Sequence, residues 1–270
     1  MSASEQCLSV AVEAAYAAGR ILLRNLGSLK RADVMAKGSF DWVTTVDHAS
    51  EKAIIRIIRK SFPTHAIKAE ESAPKAQMVP DQYQWVIDPL DGTVNFIHSF
   101  PMFCISIALM REGTPEVGVI YDPVRKELFT ARRGHGAWLN GRRIQVDDRP
   151  TLKGALLATG FPFRAQEQLD PYLESFREIL LMTGSIPRAG SAALDLAYTA
   201  CGRFTGFWEM ALSPWDMAAG VLLVQEAGGK VSDFFGTDSY LESGHVLVAN
   251  PAIHRRLVSV LRPIFQGKLP

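Results

Sequence analysis

Asp88 and Asp91 close an apolar run, Trp85-Val86-Ile87, and are followed directly by Gly92-Thr93. Two carboxylates three residues apart suit a hard divalent cation, which takes oxygen ligands and shares them with substrate phosphate. Without a cation the pair is costly, because unit charges ~4 Å apart repel by about 4 kcal/mol at an effective dielectric near 20. Gly92-Thr93 opens a run able to start a helix, whose first N–H groups suit a phosphate. Glu70-Glu71 upstream and Trp215-Asp216 far downstream supply further carboxylates. Asp216 precedes the apolar run from Met217 to Leu222, and an acid at the mouth of a buried helix needs a partner that a cation can provide. The combination points to metal-assisted phosphate chemistry.

Each element has a plainer reading. An Asp-Pro step is ordinary turn chemistry, although a strand ending in two acids and a glycine asks for more. Glu70-Glu71 alone reads as a solvated acidic pair, and Asp216 as an early-helix acid favoured by the macrodipole. Asp47 with Thr44 reads as a helix cap. A carboxylate paired with a threonine hydroxyl could equally polarise a metal-bound water, which keeps Asp47 and Thr93 together as a pair. Gly190-Ser191-Ala192 is either a helix N-cap or a set of exposed N–H groups for a ligand. The arginines Arg132-Arg133 and Arg142-Arg143 read as a solvated hairpin, with a protein or RNA contact as the sharper alternative. The six histidines lack metal-ligand spacing, and neither a Gly-x-Ser-x-Gly elbow nor a Walker-type loop is present.

The elements that must position these residues follow from periodicity. Residues 4–26 carry apolar side chains at helical spacing, and 31–46 read as irregular, with Lys37-Gly38-Ser39 a mobile loop able to close over a site. A helix starts at Asp47, with Ile54, Ile55, Ile57 and Ile58 as its stripe, and Pro63 stops it. His65–Ala69 reads as a strand delivering Glu70. Runs at Phe103–Met110, Val117–Tyr121 and Glu127–Ala131, with turns at Gly134, Gly136, Asn140 and Gly141, predict an antiparallel sheet. Beyond residue 150, strands alternate with helices. Ala155–Thr159, Phe204–Met210, Val231–Phe234 and Val246–Ala249 are the strands. The helices are Gln166–Met182, Ser191–Cys201, Pro214–Ala227 and one after Pro251.

With 270 residues, 47% hydrophobic and 21% charged, the chain has the composition of a globular protein. A formal net charge of +1 gives no global case for nucleic acid or membrane. Three scattered cysteines, Cys7, Cys104 and Cys201, suggest no disulfide framework and fit a reducing compartment. No apolar run nears the ~20 residues that span a bilayer. A cytoplasmic location is the expectation. The halves 1–148 and 149–270 are expected to pack as one catalytic unit.

These residues resemble the inositol monophosphatase family. Glu70-Glu71-Ser72, Trp85-Val-Ile-Asp88-Pro-Leu-Asp91-Gly-Thr93-Val-Asn95-Phe96 and Trp215-Asp216-Met-Ala-Ala219-Gly220 look like its three motif blocks. Lys37-Gly38, Asp41-x-Val43-Thr44-x-x-Asp47, Thr159-Gly160-Phe161-Pro162 and Gly190-Ser191-Ala192-Ala193-Leu194-Asp195 extend the similarity over essentially the whole chain. The resemblance implies an α/β fold, an αβαβα five-layer sandwich, commonly a homodimer and often lithium-sensitive. It implies two or three Mg²⁺, one held by Glu70, Asp88 and the Leu90 carbonyl, another by Asp88, Asp91 and Asp216. Thr93 and Asp47, with Glu70, would orient the attacking water. Gly92 and Thr93 would offer donors to phosphate, beside Glu70, Leu90, Asp91 and Asp216, while Gly190, Ser191, Ala192 and Glu209 would line the sugar-alcohol side. Leu90 departs from the isoleucine common at that position, which matters little if only its carbonyl binds. The implied activity is hydrolysis of inositol 1-phosphate. Fructose bisphosphate, a nucleotide 3′-phosphate and a regulatory role on transcription machinery or RNA stand as alternatives.

Overall fold

Small and apolar side chains from Val10 to Leu22 wind one buried face along α1 (Ala3–Asn25), which starts on a Ser2–Glu5 capping box. The computed structural model describes residues 2–38, 41–73, 82–163 and 165–269. A 3₁₀ turn leads into a two-stranded ribbon, β1 (Val34–Gly38) against β2 (Asp41–Thr44), and then α2 (Thr45–Ser61), which buries Ile54 and Ile58. Next come β3 (Ala66–Ala69), β4 (Tyr83–Asp91), the short α3 (Thr93–Ile97), β5 (Cys104–Arg111) and β6 (Thr114–Asp122). β7 (Glu127–Arg132), β8 (Ala137–Leu139) and β9 (Arg142–Ile144) complete a seven-stranded sheet in the order β3-β4-β5-β6-β7-β8-β9. It is antiparallel throughout except for the parallel β3–β4 pair.

The second half supplies β10 (Leu157–Thr159), α4 (Leu169–Leu180), α5 (Ala192–Ala200), β11 (Gly206–Glu209) and α6 (Pro214–Glu226). β12 (Lys230–Ser232), α7 (Tyr240–Ser243), β13 (Val246–Ala249) and α8 (Pro251–Phe265) follow. Its four strands form a sheet in the order β10-β11-β13-β12. Three cores tie the layers together. Ala11, Ala15 and Leu22 of α1 and Ile54 and Ile58 of α2 pack on one face of the large sheet with Trp85, Ile87 and Ile107. On the other face, Leu194, Leu196, Met217, Val221 and Leu222 of α5 and α6 fill the space between the two sheets. Trp208 and Leu247 of the small sheet bury the outer layer, with Tyr172 and Ile179 of α4 and Leu257 and Leu261 of α8. The result is the expected αβαβα sandwich. α5 and α6 are almost wholly apolar because they lie between two sheets.

Three expectations need correction. Residues 31–46 are not irregular: Ala36 pairs with Trp42, and Lys37-Gly38 ends a strand, while Ser39 lies outside the described residues. Periodicity missed this ribbon because five mostly exposed residues leave no alternating pattern to read. Asp88 and Asp91 do not follow β4 in a turn but belong to it. Finally, α1 does reach membrane-spanning length and apolarity by composition. Its apolar side is covered by α2 and the large sheet.

Burial in the outer core also has a pH consequence. His254 of α8 shares a 2.8 Å hydrogen bond with the Ser232 hydroxyl of β12, and burial, aided by Lys230, lowers its pKa to about 4. The folded chain therefore prefers neutral His254, so this contribution is complete above the unfolded value near 6.5 and is lost as pH falls toward 4. The shift corresponds to about 3 kcal/mol. Urea unfolding at pH 7 and pH 4.5 should show a steeper acid loss in wild type than in His254→Gln. Parallel acid losses would contradict the assignment.

Candidate active site

The large sheet places its acids through an irregularity. Asp88 pairs with Ser106 but Asp91 with Cys104, so three steps along β4 match two along β5. In a regular strand, residues three apart face opposite sides. The extra residue at Pro89-Leu90 is a β-bulge, and it turns both carboxylates toward α5 and α6. There they meet Asp216 in the first turn of α6, and one oxygen from each of the three lies within 4.8 Å of the others.

Each acid is anchored through one oxygen. Leu90 N–H donates to Asp88 Oδ1 at 2.9 Å and Ser213 N–H to Asp216 Oδ2 at 2.7 Å. Asp91 Oδ2 accepts from the Ser191 hydroxyl at 2.6 Å and from Ala193 N–H at 2.8 Å. Fixing the side chains this way removes rotamers that would let the charges separate. Asp88 is pushed well above the usual carboxylate range, first by burial and then by Glu70, Asp91 and Asp216. Three crowded oxygen donors with no sulfur or imidazole among them are the donor set of a hard cation such as Mg²⁺.

Asp47 is buried beside this cluster. The backbone N–H and hydroxyl of Thr44 donate to Asp47 Oδ2, and the Thr93 hydroxyl lies 3.0 Å from Asp47 Oδ1 and 3.0 Å from the Leu90 carbonyl. Burial raises the Asp47 pKa, opposed by those threonine hydrogen bonds. Thr93 follows Gly92, whose left-handed φ of 93° begins α3. A Cβ on Gly92 would meet the Met102 carbonyl at 2.8 Å, so both conformation and space demand glycine. Glu70 directly follows β3 beside the cluster, and Lys37 Nζ pairs with its Oε1 at 3.2 Å and also with Glu71. Burial raises the Glu71 pKa, and against the downward pull of Lys37 it stands at about 7.

Glu70, Asp88, Leu90, Asp91, Gly92, Thr93, Gly190, Ser191, Ala192, Glu209 and Asp216 line a single cleft. Asp47 alone of the sequence-derived residues sits behind its wall. The Ser191 hydroxyl is committed to Asp91 while also capping α5, so it shapes the metal-binding side. Sequence reasoning gave no role to Asn95, which holds the Ala189 and Gly190 carbonyls at 2.9 and 3.2 Å. Nor did it give a role to Trp42, Phe163 or Gly160, the last quoted only within a matching block, which also line the cleft. Asp195, quoted only within a matching block, was likewise given no role. It is fully buried, one of its oxygens lacks a partner among the described residues, and burial pushes its pKa well up, reinforced by Glu209 and Asp91. Its place inside an almost wholly apolar helix, Ala192–Ala200, is the signal that marks it.

The family model described as the inositol monophosphatase family matches residues 3–266. This chain belongs to the inositol monophosphatase family. A Pseudomonas aeruginosa protein named Nus factor SuhB is 50% identical over 259 residues, covering 95% of this chain and 96% of that one. The native structure of extragenic suppressor protein suhB from Bartonella henselae superimposes with a TM-score of 0.89 at 40% identity, covering 95% and 98%. Inositol monophosphatase from Anabaena (Nostoc) sp. PCC 7120 gives 0.85 at 43% identity, covering 98% and 97%. Family membership, fold and acidic cluster therefore agree.

The crowding of charge gives a test that needs no substrate. Without added metal, Asp88→Asn should raise stability by about 1 kcal/mol, roughly 2–4 °C in melting temperature, because one buried like charge is gone. The same variant should lose most of the Mg²⁺-induced rise in melting temperature. A variant that melts lower without metal and still responds fully to Mg²⁺ would exclude this account.

Proposed function

We propose that this chain hydrolyses the phosphate monoester of a small polyol, inositol 1-phosphate, in an Mg²⁺-dependent reaction. The observation that carries the reading is the cleft itself. Three carboxylates with oxygens within 4.8 Å line it together with the Glu209 carboxylate. Asp88, Asp91 and Asp216 would hold one cation, and Glu70, Asp88 and the Leu90 carbonyl another. A third near Glu70 accounts for the upper count. When bound, Mg²⁺ polarises phosphoryl oxygens and lowers the pKa of water.

The protein's own groups supply position and proton handling. The Thr93 hydroxyl has one proton to give and lies within 3.0 Å of Asp47 Oδ1 and the Leu90 carbonyl, so its lone pairs can accept from an attacking water. Thr44 keeps Asp47 from turning away. Glu209 accepts hydrogen bonds from ring hydroxyls, a preference that also suits other sugar phosphates such as fructose 1,6-bisphosphate. A panel of polyol, sugar and nucleotide phosphates separates these substrates.

A second reading concerns a partner and does not compete with the first. The relative at 50% identity is named a Nus factor, which favours contact with transcription machinery here too. Arg142 and Arg143 are exposed on β9 at the edge of the large sheet, whereas Arg132 pairs with Glu5 and Arg133 with Glu116. Capture of RNA polymerase by wild type and by an Arg142→Glu/Arg143→Glu variant tests that surface apart from phosphate release.

Two kinetic outcomes follow from the first reading. Asp88→Asn should lower Mg²⁺-dependent phosphate release by roughly 10³-fold, since several kcal/mol of charge stabilisation are withdrawn. Near-parental turnover at saturating Mg²⁺ would remove Asp88 from the proposed role. Glu209→Gln should instead raise KM for inositol 1-phosphate by about 10–100-fold, the worth of one charged hydrogen-bond acceptor. A shift confined to the Mg²⁺ requirement would place Glu209 on the metal side and refute its assignment.

A further inference from the structure

We propose that Gly160 is a specificity-determining position of this cleft, because the missing side chain there is the seat of the Glu209 carboxylate. The register of the small sheet brings the two together. β10 and β11 run parallel with Leu157 beside Gly206, Ala158 beside Phe207 and Thr159 beside Trp208. One step further, Gly160 stands beside Glu209, and both line the cleft. A Cβ built on Gly160 would lie 2.0 Å from the carboxyl carbon and Oε1 of Glu209 and 2.2 Å from Oε2. It is therefore the head of Glu209, not its stem, that fills the place of a methyl group.

Backbone conformation does not explain the glycine. Gly160 is absent from the positive-φ residues, so alanine is compatible with the chain at this point. Gly92 differs, being left-handed and also facing backbone at 2.8 Å. Gly118 and Gly220 differ in another way, their space being taken by Ala219 backbone and the Leu196 side chain inside the core. At Gly160 the space serves a functional group. The Glu209 stem leaves a strand with neighbours on both sides, Trp208 pairing with Thr159 on β10 and Glu209 with Val246 on β13. A methyl on Gly160 thus leaves the backbone in place and moves the carboxylate. Glu209 would change rotamer, and its reach to ring hydroxyls would change with it.

The inference rests on the reading that Glu209 meets a polyol, and the test separates the two. The measured quantity is the ratio of kcat/KM for inositol 1-phosphate to that for p-nitrophenyl phosphate, at saturating Mg²⁺. Gly160→Ala should lower that ratio by about 10–100-fold, mainly through KM for the polyol ester. The change should nearly vanish in a Glu209→Ala background, and Gly160→Ala/Glu209→Asp should recover part of the ratio, because the shorter acid clears the methyl. Melting temperatures give a readout free of substrate: the loss caused by Gly160→Ala should be relieved when Glu209 is also alanine. A ratio within threefold of wild type, or equal losses in the Glu209→Ala background, overturns the role of Gly160. A wild type with no preference for the polyol ester overturns the polyol reading itself. Coupled melting temperatures would then leave Gly160 as a steric partner of Glu209 without a role in specificity.

Discussion

Mutual repulsion among Asp88, Asp91 and Asp216 is the constraint around which the fold is arranged. Their facing oxygens lie within 4.8 Å in largely buried surroundings, where like charges cost several kcal/mol. A chain left to itself would separate them by rotating side chains outward. Each is prevented from doing so by donors to one of its oxygens, from Leu90, from Ser213, and from Ser191 with Ala193. The hydrogen bonds do not cancel the repulsion. They convert it into a fixed appetite for positive charge.

That arrangement requires both halves of the chain. β4 brings Asp88 and Asp91, α6 brings Asp216, and α5 brings the donors that hold Asp91. The Ser106 hydroxyl, on the strand beside β4, donates to the Trp215 carbonyl just ahead of Asp216. α6 can approach the sheet closely because Gly118 of β6 leaves room for Ala219, and α5 packs close on α6 because Gly220 leaves room for Leu196. The middle helical layer is thus both the main core and the frame of the site, which is why its helices are almost wholly apolar except at Asp195 and Asp216.

The cleft also divides labour between its walls. On the metal-binding side, carboxylates are tied down by backbone N–H groups and hydroxyls. On the opposite wall, Glu209 sits on a short strand whose neighbour, Gly160, leaves room for its head group. Asn95 bridges the Met102 carbonyl of one segment and the Ala189 and Gly190 carbonyls of another, tying the two segments together. Geometry of this kind can change substrate preference on one wall while leaving the charge cluster on the other intact.

Much of this was legible in the sequence. An apolar run ending in Asp88-Pro-Leu-Asp91, and an acid opening the apolar helix at Asp216, announce a cation site because burying such charges is otherwise unfavourable. Helical and strand periods located most elements, since burial on one face writes itself into the order of residues. The ribbon at 34–44 escaped because its mostly exposed strand carries no such pattern. Other features needed three dimensions. That Asp88 and Asp91 share a face depends on a bulge defined only by pairing with β5. That Ser191 serves Asp91, that Lys37 pairs with Glu70, and that Gly160 makes room for Glu209 are contacts across 100, 33 and 49 residues of chain. The sequence determined which groups would carry charge and which segments would be buried, because those depend on residue type and period. Which oxygen faces which, and which neighbour yields space, were decided only by tertiary packing, because distances between remote segments exist only once the sheets and helices have closed on one another.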